Sequence, residues 1–122
     1  MGVKRMHGIT YASLQAPEFT LAQDLGGNYR ARAWEIMRTV DGRTSVALFE
    51  QAGEIEFEFP CDEVCMILAG RLTFALEDGQ LIELAVGDVA CFPKGSKGRL
   101  TMSHDFVDLA IAVSRDNPVG AV

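Results

Sequence analysis

The chain has 122 residues, enough for one globular domain whose core needs no disulfide or metal for stability. Hydrophobic residues make up 48% of it and charged residues 23%, a composition that excludes wholesale disorder. With 11 basic and 17 acidic side chains the net charge is −6, which argues against nucleic acid as a partner. No apolar run approaches the roughly 20 residues of a membrane span, so no membrane partner is expected either.

The cysteines and the N-terminus indicate a compartment. The three cysteines are an odd number, and Cys61 and Cys65, which three residues separate, do not suggest a disulfide framework. The N-terminus lacks the apolar core of a signal peptide. We therefore expect a cytoplasmic protein with reduced thiols.

The first part of the chain differs in pattern from the rest. Residues 1–28 carry no strong hydrophobic period, and we predict an irregular arm there, with room for one short strand. In residues 29–115, short apolar segments alternate with turn residues, including two Asp-Gly pairs that favour hairpins. The predicted strands are Arg30–Thr39, Thr44–Gln51, Glu54–Phe59, Glu63–Ala69, Arg71–Glu77, Gln80–Leu84, Val89–Phe92, Gly98–Ser103 and Phe106–Val113. This pattern predicts a single all-β domain, a sandwich or barrel, followed by a frayed tail over 116–122.

Alternation in Glu54–Phe59 assigns the faces of one strand. Three glutamates alternate there with three apolar residues. Burial of three adjacent carboxylates would be unfavourable by several kcal/mol each, so the glutamate face must be in water. Phe57 and Phe59 are therefore predicted to point into the barrel.

Two other strands show a similar pattern. By the same reasoning, the odd-numbered residues of Val107–Val113 share one face of the last strand. On the first strong strand Arg32 and Trp34 share a face with Ile36, so part of that face is expected to enter the barrel.

The most specific signal lies in two segments, Phe57–Gly70 and Gly87–Gly98. In the first, Glu63 precedes Gly70 by six intervening residues; in the second, five residues separate the first glycine from a Pro-Lys-Gly turn. These segments resemble the two conserved motifs of the cupin superfamily, and the resemblance covers roughly Gly53–Val113. It implies a double-stranded β-helix, a small jelly-roll barrel with a ligand cavity at one mouth.

The resemblance also implies that the metal ligands of that superfamily are replaced. Its first motif is His-x-His, three or four residues, Glu, six residues and Gly, and its second ends in His. With a three-residue gap, the histidine positions fall on Phe57, Phe59 and Gly98, which leaves Glu63 as the one remaining ligand. With a four-residue gap, the two histidine positions of the first motif would fall on Glu56 and Glu58, which the alternation turns outward. Because a divalent metal needs about three convergent ligands, we expect no metal and no other cofactor.

With these replacements the sequence resembles the cupin branch that contains ethanolamine-utilisation protein Q and ureidoglycine-aminohydrolase-like cupins. The resemblance rests on Asp62-Glu63-Val64 before an Ile-Leu-x-Gly strand, and on Phe92–Gly98 in place of the histidine-bearing loop. It implies a metabolic role in ethanolamine utilisation. The ureidoglycine enzymes depend on a metal, and the replaced histidines argue against that activity.

Glu63 is the candidate catalytic residue. In an apolar barrel beside Phe57 and Phe59, burial should raise its pKa and suit it to general acid or base catalysis. The alternative is a structural ion pair, with Arg32 as the partner. The two phenylalanines are predicted to contact a ligand in the same interior.

Four further residues are candidates for ligand binding. Arg32 beside Trp34 would hold a carboxylate or phosphate, or else lie at the rim with its head in water, and the tryptophan would stack on a ligand or simply pack. Lys97 belongs to a small basic cluster that would neutralise an anion or form a solvated turn. Cys65 has the parity of Glu63 and is expected to line the cavity as a structural thiol, since no neighbour stabilises a thiolate.

The sequence leaves three functions open. The first is a metal-independent barrel that binds a small, anionic metabolite in its interior. The second is a lyase, dehydratase or isomerase in which Glu63 moves the proton and Arg32 or Lys97 holds the anion. The third is a role of the ethanolamine-utilisation type. A homodimer is expected, because alternate residues of Val64–Leu68 form an outer apolar face that family members cover with a second barrel or a swapped strand.

Overall fold

The computed structural model describes residues 2–23 and 28–120, and within these ranges it contains ten β-strands. They are β1 (Lys4–Met6), β2 (Ile9–Tyr11), β3 (Thr20–Gln23), β4 (Arg30–Arg38), β5 (Thr44–Glu58), β6 (Asp62–Ala69), β7 (Arg71–Leu76), β8 (Leu81–Ala85), β9 (Val89–Phe92) and β10 (Lys97–Val113). No helix in the described part of the chain is long and apolar enough to cross a membrane.

Two long strands organise the sheet. β10 pairs antiparallel with β5 along nearly its whole length, with β7 through its first half and with β6 through its second half. Each half of this ribbon therefore belongs to a different layer. One layer is extended by β7 and β8, and the other by β6 and β9 on one side and by β4 and β3 on the other.

Both long strands bend between the layers without ending there. The sequence predicts two separate segments for each of them, but the structure joins each pair into one strand. In β10 the register shifts between Met102 and Phe106. In β5 the bend includes Gly53, whose φ of +96° is rarely adopted by L residues, and a Cβ there would overlap the carbonyl oxygen of Asn28. The glycine thus permits the bend where the sequence pattern predicts a break.

The core lies between the two layers and is built around three aromatic rings. Phe59 and Phe92 stack with ring centroids 4.4 Å apart, and Phe74 meets both of them edge-on at 5.9 and 5.2 Å. Phe57 packs against this core, whereas the glutamates of the same strand are exposed, as the alternation predicted.

The last strand turns its smaller residues inward. The odd-numbered residues of Val107–Val113 do share a face, but it is the outer one, where the first three are half-buried and Val113 is exposed. Phe106, Asp108 and Ala110 are the buried residues on the inner side. The outer face continues onto β6, where Met66 is 43% exposed. Its coverage by a second copy of the chain stays a prediction.

Both termini are more ordered than the sequence indicated. The arm contains three short strands where one was allowed; β1 and β2 form a hairpin of their own, and β3 pairs with β4. At the other end, Arg38 donates to the carbonyl oxygens of Val119 and Gly120 at 2.8 and 2.9 Å. The Val119 amide in turn donates to the Gly42 carbonyl at 2.8 Å. The prediction of a frayed tail is wrong for residues 118–120, and residues 121–122 lie outside the described range.

The bend at Gly53 gives a first testable expectation. In both Gly53→Ala and the control Gly79→Ala, alanine meets a positive φ, with an unfavourable contribution of about 1 kcal/mol. Gly79 has open space around it, whereas the Gly53 variant must also displace backbone. Guanidinium denaturation should therefore show a loss for Gly53→Ala that exceeds the control by about 2 kcal/mol or more. Equal losses in the two variants would show that the approach of Asn28 is not a constraint.

Candidate functional site

An interior cavity of about 420 Å3 lies between the two layers, within the size range of small-molecule sites. Small side chains create the space, because Ala31 of β4, Ala47 of β5 and Ala110 of β10 all face inward. The aromatic rings of Phe57, Phe59 and Phe92 form another part of the wall. The cavity is therefore apolar over much of its lining, with a few polar groups set into it.

Two of those polar groups are carboxyls on neighbouring strands. Alternate residues of a strand point the same way, so Glu63 and Cys65 of β6 face the cavity together with Asp108, Ala110 and Ala112 of β10. In the β6–β10 register, Glu63 lies opposite Ala112. Asp108 lies opposite Ile67, which is four residues after Glu63 on β6. The two carboxyls thus stand two inward positions apart along one wall.

Glu63 occupies an apolar environment. It lies directly opposite Phe92 in the β6–β9 register, and Phe92 is stacked on Phe59. Within the described residues no side chain forms an ion pair with Glu63. Burial accordingly raises the pKa of Glu63 from 4.5 to about 7, so the carboxyl keeps its proton to a much higher pH than an exposed glutamate does.

Asp108 is the more deeply buried of the two carboxyls. It is 5% exposed, and its Oδ1 atom has no hydrogen-bond partner among the residues described. Burial, and secondly the negative charge of Glu63, raise the pKa of Asp108 from 3.8 to about 8. Most buried polar atoms in folded proteins do have a partner, so this carboxyl requires an explanation.

A tyrosine hydroxyl completes the polar lining. Tyr29 is buried at the start of β4, and Gln51 donates a hydrogen bond from Nε2 to its Oη at 2.9 Å. Burial raises the pKa of Tyr29; the Gln51 hydrogen bond lowers it, and the charges of Asp108 and Glu63 raise it further. The phenol therefore keeps its proton, and its O–H group is able to donate a hydrogen bond to a ligand.

The structure places Arg32 outside the barrel, so the expectation that its face enters the interior is wrong. The neighbouring Ala31 and Ala33 are the buried residues, and alternation turns Arg32 outward. There it is exposed, forms a salt bridge with Glu50 and lies over the ring of Phe19, with 5.1 Å to the ring centroid. It therefore does not pair with Glu63.

Trp34 follows Arg32 onto the outer side of the sheet. It is 6% exposed and lies opposite Leu48 in the β4–β5 register, but it does not line the cavity. The tryptophan thus packs between protein groups, which was the alternative to ligand stacking.

Of the two remaining candidates for ligand binding, Lys97 lies outside the cavity and Cys65 lines it. Lys97 is exposed, and its Nζ lies 3.9 Å from a carboxylate oxygen of Glu77; the inward residue at this point of β10 is Gly98. That position does not fit the predicted hold on an anion in the cavity. Cys65 is 2% exposed in the cavity wall, and burial raises its pKa to about 12, so it remains a neutral thiol.

The two-layer fold and its interior cavity define a double-stranded β-helix barrel of the cupin class. The sequence model described as the EutQ-like cupin domain matches residues 38–108, more than half of the chain. The protein belongs to this family of EutQ-like cupins, and the all-β jelly-roll fold predicted from the sequence is confirmed.

Solved structures from bacteria share the architecture. The EutQ protein of Clostridium difficile is 17% identical, with a TM-score of 0.78 over 93% of this chain and 93% of that chain. A putative ethanolamine utilization protein Q from Salmonella typhimurium is 18% identical, with a TM-score of 0.79 over 93% of this chain and 94% of that one. A Pseudomonas syringae protein of unknown function is 16% identical, with a TM-score of 0.71 over 88% of this chain and 49% of that one. None of the curated proteins matches the sequence.

The cavity residues do not fit the metal of the wider superfamily. Three of its four ligand positions are predicted to correspond to Phe57, Phe59 and Gly98, which carry no donor atom in their side chains. Among the described residues, no three His, Cys, Asp or Glu side chains converge. Glu63 and Asp108 supply two carboxyls, fewer than the set that holds a divalent ion.

The two carboxyls predict how stability depends on pH. Both bind a proton more tightly in the folded chain, because the folded pKa values of about 7 and about 8 exceed the ordinary values of 4.5 and 3.8. Their contribution to the free energy of unfolding is therefore full at low pH and is lost as pH rises through the folded pKa values. Urea denaturation between about pH 4 and pH 9 should show a decline on the order of a few kcal/mol.

Variants assign that decline to the two residues. Asp108→Asn and Glu63→Gln should each flatten the slope, whereas the exposed control Glu83→Gln should leave it unchanged. A wild-type stability that rises steadily over this interval, or slopes that are equal in all four proteins, would contradict the raised pKa values.

Proposed function

We propose that this barrel binds a small metabolite in its interior without a metal, and that Glu63, Asp108 and Tyr29 recognise the ligand. Asp108 carries the proposal. A carboxyl with an unpartnered oxygen in the wall of a cavity provides a hydrogen-bonding group that the protein itself does not use. A bound ligand would supply the missing partner.

The positions of the basic residues change the expected charge of the ligand. The anionic metabolite predicted from the sequence depended on Arg32 and Lys97, and both lie outside the cavity. Its described lining contains no lysine, arginine or histidine. Because the carboxyls would repel an anion once they ionise, we propose a ligand that is not an anion.

Filling the cavity tests this proposal. In Ala110→Phe a large ring would occupy the space between the two carboxyls, and ligand binding should fall at least roughly ten-fold. The control Thr101→Phe adds the same ring to an exposed position of the same strand. Thermal-shift assays with neutral, cationic and anionic metabolites, followed by NMR mapping, measure the binding. Ligands that bind Ala110→Phe as tightly as the wild type would place the site elsewhere.

An enzymatic function is the second candidate, and the pKa of Glu63 favours it. A carboxyl with a pKa of about 7 is able both to give and to accept a proton near neutral pH. A lyase, dehydratase or isomerase requires such a group beside the reacting carbon. Asp108 in the same wall would serve as a second proton donor.

Glu63→Gln separates binding from catalysis. If the protein is an enzyme, this variant should keep the ligand-induced thermal shift but lose turnover by about 100-fold or more. Glu58→Gln, an exposed position of β5, is the matched control and should keep both. A ligand that binds but is turned over by neither protein would leave binding as the function.

A role of the ethanolamine-utilisation type is the third candidate. It is supported by the family and by the name of the Salmonella structure. At 18% identity that structure carries information on the fold, so the proposal above is argued from the cavity.

A further inference from the structure

Charge within the cavity is unbalanced. Asp108 is 5% exposed and leaves Oδ1 without a partner in the part of the chain that the structure describes, and Glu63 faces the same space. Structural acids buried at this depth are ordinarily paired with a cation or fully hydrogen-bonded, because an ionised carboxylate is strongly disfavoured without compensation. Among the described residues, no cation pairs with either carboxyl, and a backbone hydrogen bond to Asp108 still leaves its Oδ1 without a partner.

The protein does not supply a cation from the surrounding walls. Residues lining the cavity in the described ranges include no lysine, arginine or histidine. Arg38, which holds the C-terminal tail at the cavity, is already engaged: it pairs with Glu35 at 2.8 Å and donates to two tail carbonyls. Among the described residues, therefore, no side chain provides a counter-charge in the cavity, and a bound cation would supply one.

Aromatic rings lie beside Glu63. Phe92 stands directly opposite Glu63 and is stacked on Phe59, while Phe57 meets Phe59 edge-on at 4.8 Å. Aromatic faces attract organic cations and also pack against alkyl groups, whereas they offer a carboxylate or phosphate nothing comparable. The combination of buried acid and aromatic wall is suited to a molecule that is cationic at one end and apolar elsewhere.

We infer that the cavity selects a small organic cation, a molecule with a protonated amine whose ammonium group contacts Asp108 and whose alkyl part packs on the apolar lining, with Glu63 further along the same wall adding to its negative charge. This inference rests on the proposed function and names the chemical class of its ligand. An ammonium group has three hydrogen-bond donors and a positive charge. It would therefore donate a hydrogen bond to the unpartnered oxygen of Asp108 and at the same time balance the negative charge of the ionised carboxyls.

Binding of an ammonium group should be linked to release of protons. The titratable groups that face the two carboxyls are Tyr29 just before β4, Cys61 just before β6 and Cys65 of β6, and burial raises the pKa of each of them above its usual value. All three therefore stay neutral near pH 7, when the carboxyls are partly protonated. A bound cation favours the ionised form of the two carboxyls, so binding should release protons from them.

Three probes of matched size test the inference: n-butylammonium, 1-butanol and butyrate. Isothermal titration calorimetry at pH 7, with NMR shifts of the cavity residues, should show n-butylammonium bound at least roughly ten-fold more tightly than 1-butanol, and butyrate weakest. Titrations in two buffers of different ionisation heat should reveal proton release with n-butylammonium. Uptake of protons, or no exchange, would overturn the inference.

Substitutions locate the preference. Asp108→Asn should reduce the preference for n-butylammonium over 1-butanol to about two-fold or less, and Glu63→Gln should weaken it. Glu83→Gln, on the exposed side of β8, should preserve it. A preference that survives in Asp108→Asn would overturn the inference, and the proton release of the wild-type protein tests it even if a variant fails to fold.

Failure of this inference and failure of the proposed function give different results. If 1-butanol or butyrate binds in the cavity as tightly as n-butylammonium, the amine selectivity is wrong but the cavity remains a binding site. If none of the three probes shifts the NMR signals of cavity residues, both are wrong.

Discussion

Burial of the Asp108 carboxyl, whose Oδ1 has no partner among the described residues, is the constraint to which the other features of the interior relate. A buried acid of this kind stays neutral unless something compensates its charge, and Glu63 in the same wall makes ionisation still less favourable. Burial is the main cause of both raised pKa values, and the charge of Glu63 adds to that of Asp108. Both the proposed acid–base chemistry and the proposed binding of a cation depend on these two buried carboxyls.

The fold produces this arrangement through two bent strands and a simple size rule. β5 and β10 run through both layers, so a single register fixes which residues face the interior. Small residues such as Ala47 and Ala110 face inward on these strands and leave room, while the aromatic rings of Phe59 and Phe92 fill the remaining core. The tail, held by Arg38, adds to the cavity wall. Phe59 and Phe92 thus belong both to the packed core and to the wall of the cavity.

Much of the barrel was predictable from the sequence, because strict alternation and turn residues determine strands and faces. The glutamates around Phe57 and Phe59 left one possible orientation. On β4 part of the face that carries Trp34 was expected inside, but the interior takes the alanines beside Arg32. On β10 the larger odd-numbered residues of Val107–Val113 lie on the outer face, and after Phe106 the interior takes Asp108 and Ala110. An acid within an apolar strand is a signal for such a site, but tertiary packing decides which face is buried, and a single strand does not reveal it.

Direct titration of the two carboxyls tests the central claim. In protein labelled with 13C, the side-chain carboxyl carbons of Glu63 and Asp108 report protonation individually from about pH 3 to pH 10. Midpoints near 7 for Glu63 and near 8 for Asp108 are predicted. Midpoints below about 5 for both residues, the range of ordinary exposed carboxyls, would show that the interior compensates their charge and would contradict the account.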